Sequence, residues 1–286
     1  MLTGLGVAIA FRAGVFNIGA EGQLLAGAAV ATFASLRWSP SLNVFTLPIA
    51  LATGTVAGAL WAGIAAVLRT RFGVLEVIST LMLNFLAADS VSYLVRGPLQ
   101  EPLHIYPQSS TLPMIARLPH FASTTRLHWG LVLAVVLIAF AAWGLSQTAV
   151  GFRLRAVGAN PEAAQVTGRI SGARVTTEAF LVSGALAGLA GAIEVTAVTY
   201  ALYDNLSPGY GFTAIAVAIL AGLRPLGVLP SALLFAGLES GATAMQRDAG
   251  VPAAWASVVE ACLILVVVGT VALRQHGDLA EPVSDV

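Results

Sequence analysis

The sequence has no lysine; all 14 basic residues are arginine. It has one cysteine, Cys262, so no internal disulfide can form, and no CxxC or Cys/His spacing points to a zinc or iron–sulfur centre. Charge is scarce. Only 10% of the residues are charged, against roughly 25% in a soluble domain. The net charge is +0, so no bulk basic field exists for nucleic acid. Catalytic signatures are missing too: there is no nucleophile elbow, no HExxH pair and no phosphate-binding loop. "GALAGLAGAIE" is glycine-rich, but it sits in an apolar helix with no preceding strand and no Lys-Ser/Thr. No catalytic residue, no metal site and no ATP site is expected of this chain.

What remains is apolar. Hydrophobic residues make up 57% of the chain and the mean hydropathy is +0.86, the composition of a protein dissolved in lipid. At roughly 20 residues per crossing, the chain has the length of about eight membrane helices. The expected fold is an all-α polytopic membrane protein, with residues 1–286 forming one transmembrane domain. The opening "MLTGLGVAIAF" has no charged n-region and no small-residue cleavage site, so a signal peptide is not expected. Its apolar run is too short to span, which implies a half-helix or a numbered chain that begins late.

Apolar runs of spanning length are read at Phe45–Leu68, Val74–Val95, Trp129–Gln147, Ala179–Tyr200, Val228–Met245 and Trp255–Leu273. Gln23–Leu36 and Thr213–Leu223 are apolar but short. Each adjoins a polar, glycine-bearing stretch: "RAGVFNIGAEG" before the first, "YDNLSPGYGF" before the second. Irregular backbone survives inside a bilayer only where protein or a water-filled cavity satisfies its N–H and C=O groups. Transporters place such broken helices in matching positions of two halves, beside the substrate. Broken helices are therefore expected near residues 12–28 and 201–223, although the same glycines serve equally as ordinary turns.

Arginine placement orients the chain. Arg69 and Arg71 mark one cytoplasmic loop, and Arg153, Arg155, Arg169 and Arg174 mark another at about 148–178. The two spans between them put the loop at about 96–128 outside, and continued alternation puts the tail at 274–286 inside. In "SGALAGLAGA", Gly184, Gly188 and Gly191 recur at spacings that let transmembrane backbones approach closely. "ATGTVAGALWAG" at 52–63 does the same. Helix packing is the preferred reading of both.

An ionisable side chain at the bilayer centre costs about 2.5–3.5 kcal/mol on insertion scales, which makes it a functional candidate. Asn17, Glu21 and Gln23 cluster at the first break. Glu194 and Glu239 lie within spans, and Asn84 shares a span with Glu76 and Asp89. Glu76 follows the "RTRFG" turn and suits the first turn of a helix. Asp89 and Glu260 fall near span ends and are weaker candidates. The expected substrate-path set is Asn17, Glu21, Gln23, Asn84, Glu194 and Glu239.

The loop at 148–178 holds the clearest polar element, "VGANPEAAQVTG". Asn160 is a good N-cap, Pro161 fits the first helical position, and Glu162 suits the positive end of a helix dipole. Gly158 lets the chain turn into the cap, and Ala163 and Ala164 present a smooth face. A short helix projects here from the membrane body, either as a plain capped turn or as a docking element for a cytoplasmic partner. Arg155 either takes part in docking or anchors the loop to lipid phosphates.

Several motifs carry a resemblance: "GVAIAFRAGVFNIGAEGQLLAGA", "VLEVISTLMLNFLA", "YLVRGPLQEP", "PQSSTLP", "GFRLRAVGANPEAAQVTGR", "SGALAGLAGAIEV" and "GYGFTAIAVAILAGLRPLGVLPSALLFAGL". Together and in order, they resemble the nucleoside and simple-sugar branch of ABC-importer permeases, within the ribose and branched-chain amino acid permease group. Family members usually carry a further hydrophobic segment before the matched region. The resemblance implies a permease subunit of a bacterial inner (plasma) membrane that moves a nucleoside or related sugar-containing solute inward. It also implies the partners: a cytoplasmic ATP-binding subunit that binds the ATP, a second permease forming a homo- or heterodimer, and an extracytoplasmic substrate-binding lipoprotein. The ATPase-coupling loop would comprise Arg155, Gly158, Asn160, Pro161, Glu162, Ala163, Ala164 and Gly168. The rival reading is an ion-coupled secondary transporter in which Glu21, Glu194 and Glu239 bind protons.

Overall fold

The computed structural model describes residues 1–121, 127–166 and 170–250, with single positions between Trp255 and Val266. Gly168, Glu260, most of the span expected at Trp255–Leu273 and the tail at 274–286 lie outside the described residues.

The described residues fold into helices without strands. They are α1 Leu2–Arg12, α2 Ala20–Leu42, α3 Thr46–Phe72, α4 Glu76–Arg96, α5 Trp129–Gln147, α6 Ala149–Ala159, α7 Pro161–Val166, α8 Gly172–Ile193, α9 Tyr210–Leu220 and α10 Pro225–Ala249. A π-helical turn, Glu194–Thr199, continues α8. Five stretches are long and apolar enough to cross a membrane: Asn43–Phe72, Glu76–Arg96, Trp129–Gln147, Gly172–Thr199 and Pro225–Ala249. The chain is thus an all-α, multi-pass membrane protein. Leu2–Arg12 and Tyr210–Leu220 are apolar helices of half that length.

Helix ends follow local chemistry. Gly73, at φ 68°, closes α3: its N–H turns back to the Arg69 carbonyl, and the N–H of Val74 turns back to the Leu68 carbonyl. Arg69 and Arg71 then sit in the last turn, at the negative end of the helix dipole. Arg69 Nε pairs with Glu76 Oε2 at 2.9 Å across that turn, and Glu76 stands in the first turn of α4. The Thr148 hydroxyl caps α6 by accepting from Gly151 N at 3.2 Å. Pro225 occupies the first turn of α10, where its missing N–H costs nothing.

α8 occupies the centre, packed against α1, α2 and α3. Its glycines explain how. A Cβ on Gly188 would overlap the Gly54 carbonyl of α3, and one on Gly184 would overlap Gly58 and Ala62. A Cβ on Gly191 would overlap the Leu24 carbonyl of α2. Both small-residue stripes therefore serve backbone-to-backbone packing.

The region 148–178 differs from the expected polar loop, because most of it is helical. α6 follows α5 directly and folds back on it through Gly151, whose hydrogen faces the carbonyls of Gly144 and Leu145. Leu154 and Val157 of α6 are buried in the main apolar cluster. An 11-residue helix with this one buried face is hard to tell from a loop when two residues of the same window are arginine.

Candidate functional site

The stretch between α1 and α2, residues 13–19, breaks the helix and is held from several sides. Asn17 is fully buried. Its Nδ2 donates to Gln23 Oε1 at 3.0 Å and to Ser183 Oγ of α8 at 2.9 Å. Its Oδ1 accepts from Gly19 N at 2.9 Å and from Gln23 Nε2 at 3.0 Å. Asn84 of α4 clamps the same segment, accepting from Gly22 N at 2.8 Å and donating to the Ile18 carbonyl at 2.9 Å. Thr80 Oγ1 accepts from Ile18 N at 3.3 Å. These side chains satisfy backbone groups that the missing helical turn leaves open, as burial demands.

Glu21 performs a different task. Its Oε2 accepts from Gly211 N, in the first turn of α9, at 2.6 Å. A carboxylate there also meets the positive end of the α9 dipole. The approach is close: a Cβ on Gly211 would overlap Glu21 N. Glu21 therefore joins the two broken regions, the one before α2 and the one before α9. Ser207 Oγ, accepting from Tyr210 N at 3.0 Å, completes the α9 start.

Beside this brace is a cavity of about 370 Å³, walled by the start of α1, the start of α5, the end of α8, α9 and α10. Glu194, Glu239 and Tyr210 line it, together with Thr3, Thr213 and His128 on otherwise apolar walls. Glu194 opens the π-helical turn, a local widening of the helix that often accompanies function. Of the six path candidates, Glu194 and Glu239 face this cavity, while Asn17, Glu21, Gln23 and Asn84 belong to the brace and are not among its lining. Tyr210, His128 and Thr213 were not singled out from sequence. Tyr210 stands in the glycine-bearing "SPGYGF" next to a flagged break, which was the available signal.

Leu127 and His128 line one end of the cavity, and the preceding residues 97–121, here called the roof, pair with the chain that follows α8. Ser109 pairs with Leu202 (N to O, 2.7 Å), Leu112 N donates to the Tyr200 carbonyl at 2.8 Å, and Leu118 N donates to the Thr196 carbonyl at 2.9 Å. Arg117 lies 4.5 Å from the centre of the Tyr200 ring. His128 caps α5, its Nδ1 accepting from Gly130 N at 3.1 Å. Burial, and secondarily the charge of His120, lowers the His128 pKa from the ordinary 6.5. In the same roof, a hydrogen bond from the Gln108 side chain, then one from Tyr106 N, lowers the Glu101 pKa.

The projecting helix forms as α7. Asn160 Oδ1 caps it by accepting from Ala163 N at 3.0 Å, and Pro161 and Glu162 take the expected first-turn positions. Ala163 is exposed and Val166 is 87% exposed, but Ala164 is buried in the main apolar cluster. The expected two-alanine face is thus split, with one alanine outward and one inward. Gly158 does not turn the chain into the cap. It lies within α6, where a Cβ would overlap the Arg12 carbonyl, so glycine is needed for close approach to α1. Arg155 faces a second cleft with Arg12 and Arg224.

A family model described as branched-chain amino acid transport system, permease component, matches residues 1–268. The chain is 38% identical over 280 residues to the guanosine ABC transporter permease protein NupP of Bacillus subtilis, covering 96% of this chain and 79% of that one. It is 39% identical over 279 residues to the glucose ABC transporter permease protein TsgB13 of Haloferax volcanii, covering 93% and 72%. It is 32% identical over 273 residues to the nucleoside ABC transporter permease protein NupB of Lactococcus lactis, covering 92% and 74%. No solved structure gives a significant match.

Proposed function

We propose that this chain, which belongs to the permease-component family of the branched-chain amino acid transport system, carries a nucleoside or related sugar-containing solute inward as the membrane subunit of an ABC importer. The observation that carries the reading is the family match over residues 1–268, which takes in both helix breaks and the cavity between them. The named solutes of the similar permeases are guanosine, nucleoside and glucose. The cavity suits that chemistry: about 370 Å³ is within the usual range for small-molecule sites, its apolar walls and Tyr210 suit a flat base, and carboxylates accept from sugar hydroxyls.

In this reading the energy comes from ATP hydrolysed by a cytoplasmic partner docked on α7, with Arg155, Gly158 and Asn160 to Ala164 holding that helix in place. A second permease, identical or related, completes the pore, and an extracytoplasmic binding lipoprotein delivers solute in a bacterial inner membrane. The ends carrying Arg12, Arg69 and Arg224 with α6 and α7 are cytoplasmic, and the connection expected outside, at about 96–128 in the sequence, is external. α2, 23 residues long, continues from the first break as a further membrane helix beside the five apolar spans, and its start meets the start of the half-helix α9 at Glu21, at mid-depth. Asn84 lies eight residues into α4 and Ser183 eleven into α8. At 1.5 Å per residue the brace then sits roughly 12–16 Å above the cytoplasmic helix ends, about half of a 30 Å core.

Uptake of labelled guanosine and glucose into cells carrying the complete importer tests this. Expected is nucleoside uptake that stops when the ATP-binding partner is deleted and drops at least tenfold in Glu194→Gln. Uptake that survives deletion of that partner but collapses with a protonophore would establish the ion-coupled alternative instead.

A further inference from the structure

A second cleft, of about 850 Å³, opens where α1 ends, α5 ends, α6 passes and the chain turns from α9 into α10. Three arginines from three separate elements line it: Arg12 at the end of α1, Arg155 in α6 and Arg224 just before α10. No carboxylate lines it. Among the described residues the ion pairs are Arg69–Glu76 and Arg96–Asp204, so none of the three is matched by an acid. Arg155 and Arg224 stand close enough for their charges to act on Arg12. Three like charges gathered without a counter-charge oppose one another, and a bound anion would relieve that repulsion.

The backbone holds this arrangement. Gly222 and Leu223 both take left-handed conformations, at φ 59° and 57°. That tight turn aims the Leu223 carbonyl at Arg12, whose Nη1 donates to it at 3.4 Å. A left-handed conformation is costly for leucine. Pro225 then pins the chain just after Arg224. The other wall is apolar: Ala142 and the buried Leu145 at the end of α5 form its floor, and Leu226, which is 65% exposed, opens it outward. A cationic pole beside an open apolar wall matches a ligand with a phosphate at one end and a hydrocarbon body at the other. Guanidinium forks bind phosphate oxygens in pairs.

We propose that Arg12, Arg155 and Arg224 form a binding site for a phosphate ester, and that its source is the headgroup of an anionic phospholipid seated against Leu145 and Leu226. The site is separate from the cavity lined by Glu194, and it stands whatever solute the chain carries. Lipid bound there would clamp the end of α1 to α6 and to the α9–α10 turn, the elements that join the first helix break to the projecting α7.

The purified chain in a neutral detergent is titrated with dioctanoyl phosphatidylglycerol, dioctanoyl phosphatidylcholine or inorganic phosphate, and its thermal unfolding midpoint is followed. Phosphatidylglycerol should raise the midpoint saturably, and phosphatidylcholine should not. Arg155→Gln and Arg224→Gln should each weaken the apparent affinity roughly fivefold, the loss of about 1 kcal/mol per arginine near an anionic headgroup. Arg155→Lys and Arg224→Lys, which keep the charge and the fold, should retain more of the effect than the glutamine variants. Arg71→Gln, in the exposed last turn of α3, should bind as wild type. Equal stabilisation by phosphatidylcholine, or equal weakening by Arg71→Gln, would overturn the site. An equal effect of inorganic phosphate at the same concentrations would overturn the lipid source and leave a site for soluble phosphate esters. Should the glutamine variants fail to fold, phosphatidylglycerol retained by wild type and lysine variants in native mass spectrometry decides: equal retention of phosphatidylcholine overturns the site.

Discussion

At the residue scale, two side chains hold structure together at points where the helical backbone stops. Glu21 connects α2 to the start of α9 through a single buried hydrogen bond to Gly211 N. Removing the carboxylate leaves that N–H without an acceptor, at a cost of about 1–3 kcal/mol. Glu21→Ala should therefore insert normally into the membrane, unfold at lower temperature and lose uptake. Glu21→Gln keeps an acceptor oxygen and should recover most of the stability, and thermal unfolding beside uptake assays separates the two variants. Wild-type stability in Glu21→Ala would remove the brace. His128 caps α5 only when Nδ1 is free to accept. Its folded pKa lies below 6.5, so the folded state disfavours the proton that the unfolded chain accepts. The stability due to neutral His128 is therefore complete above pH 6.5 and is lost as pH falls through and below that value. His128→Asn, which caps without titrating in this range, should flatten the melting profile between pH 7 and 5; an unchanged slope would exclude His128 as its source.

At the scale of the element, α7 is too short to be stable alone. Asn160 caps it and Ala164 secures it to the body, while Ala163 and Val166 face outward. Ala163→Arg adds bulk and charge on the outward side without touching the buried one. It should leave the melting temperature within a degree or two, reduce recovery of the ATP-binding partner in pull-downs from detergent at least fivefold, and abolish ATP-driven uptake. Normal recovery together with normal uptake would remove the docking role. Ala164→Arg makes a useful contrast: it should destabilise the chain itself, because the arginine would have to enter an apolar cluster.

At the scale of the whole molecule, the expected orientation rests on where the arginines lie along the chain. Arg12, Arg69, Arg155 and Arg224 come from four separate segments, and Arg96 pairs with Asp204 at 2.6 Å near the opposite helix ends. Cysteine labelling checks this directly once the exposed Cys262 is replaced by serine. A cysteine at Met114, 83% exposed in the roof, should react with an impermeant reagent added outside intact cells. One at Ala163 should react only after permeabilisation. The reverse pattern would invert the topology and move α7 away from any cytoplasmic partner.

Composition and apolar run length were enough for the all-α membrane class, because continuous apolar runs of about 20 residues fit membrane-spanning helices, whereas barrel strands are shorter and alternate. They also placed Trp129–Gln147 to the residue and flagged both breaks, since a run too short to span is visible by counting. The small-residue stripes announced close helix packing for a similar reason: the absence of side chains is written in the chain itself. α6 was not legible, because a short helix with one buried face and two arginines shares its composition with a loop. Nor could local pattern assign tasks to the polar residues it picked out. Asn17, Glu21, Gln23 and Asn84 have the same chemistry whether they brace a break or line a cavity. Only the fold decides, by bringing Gly211 to Glu21 across 190 residues, Ser183 to Asn17 across 166, and Glu194 to the same cavity as Glu239. Those meetings depend on how long helices cross, and crossing is set by glycines that let α2, α3 and α8 touch backbone to backbone. The polar candidates thus came from sequence, and the separation of brace from cavity came from tertiary packing.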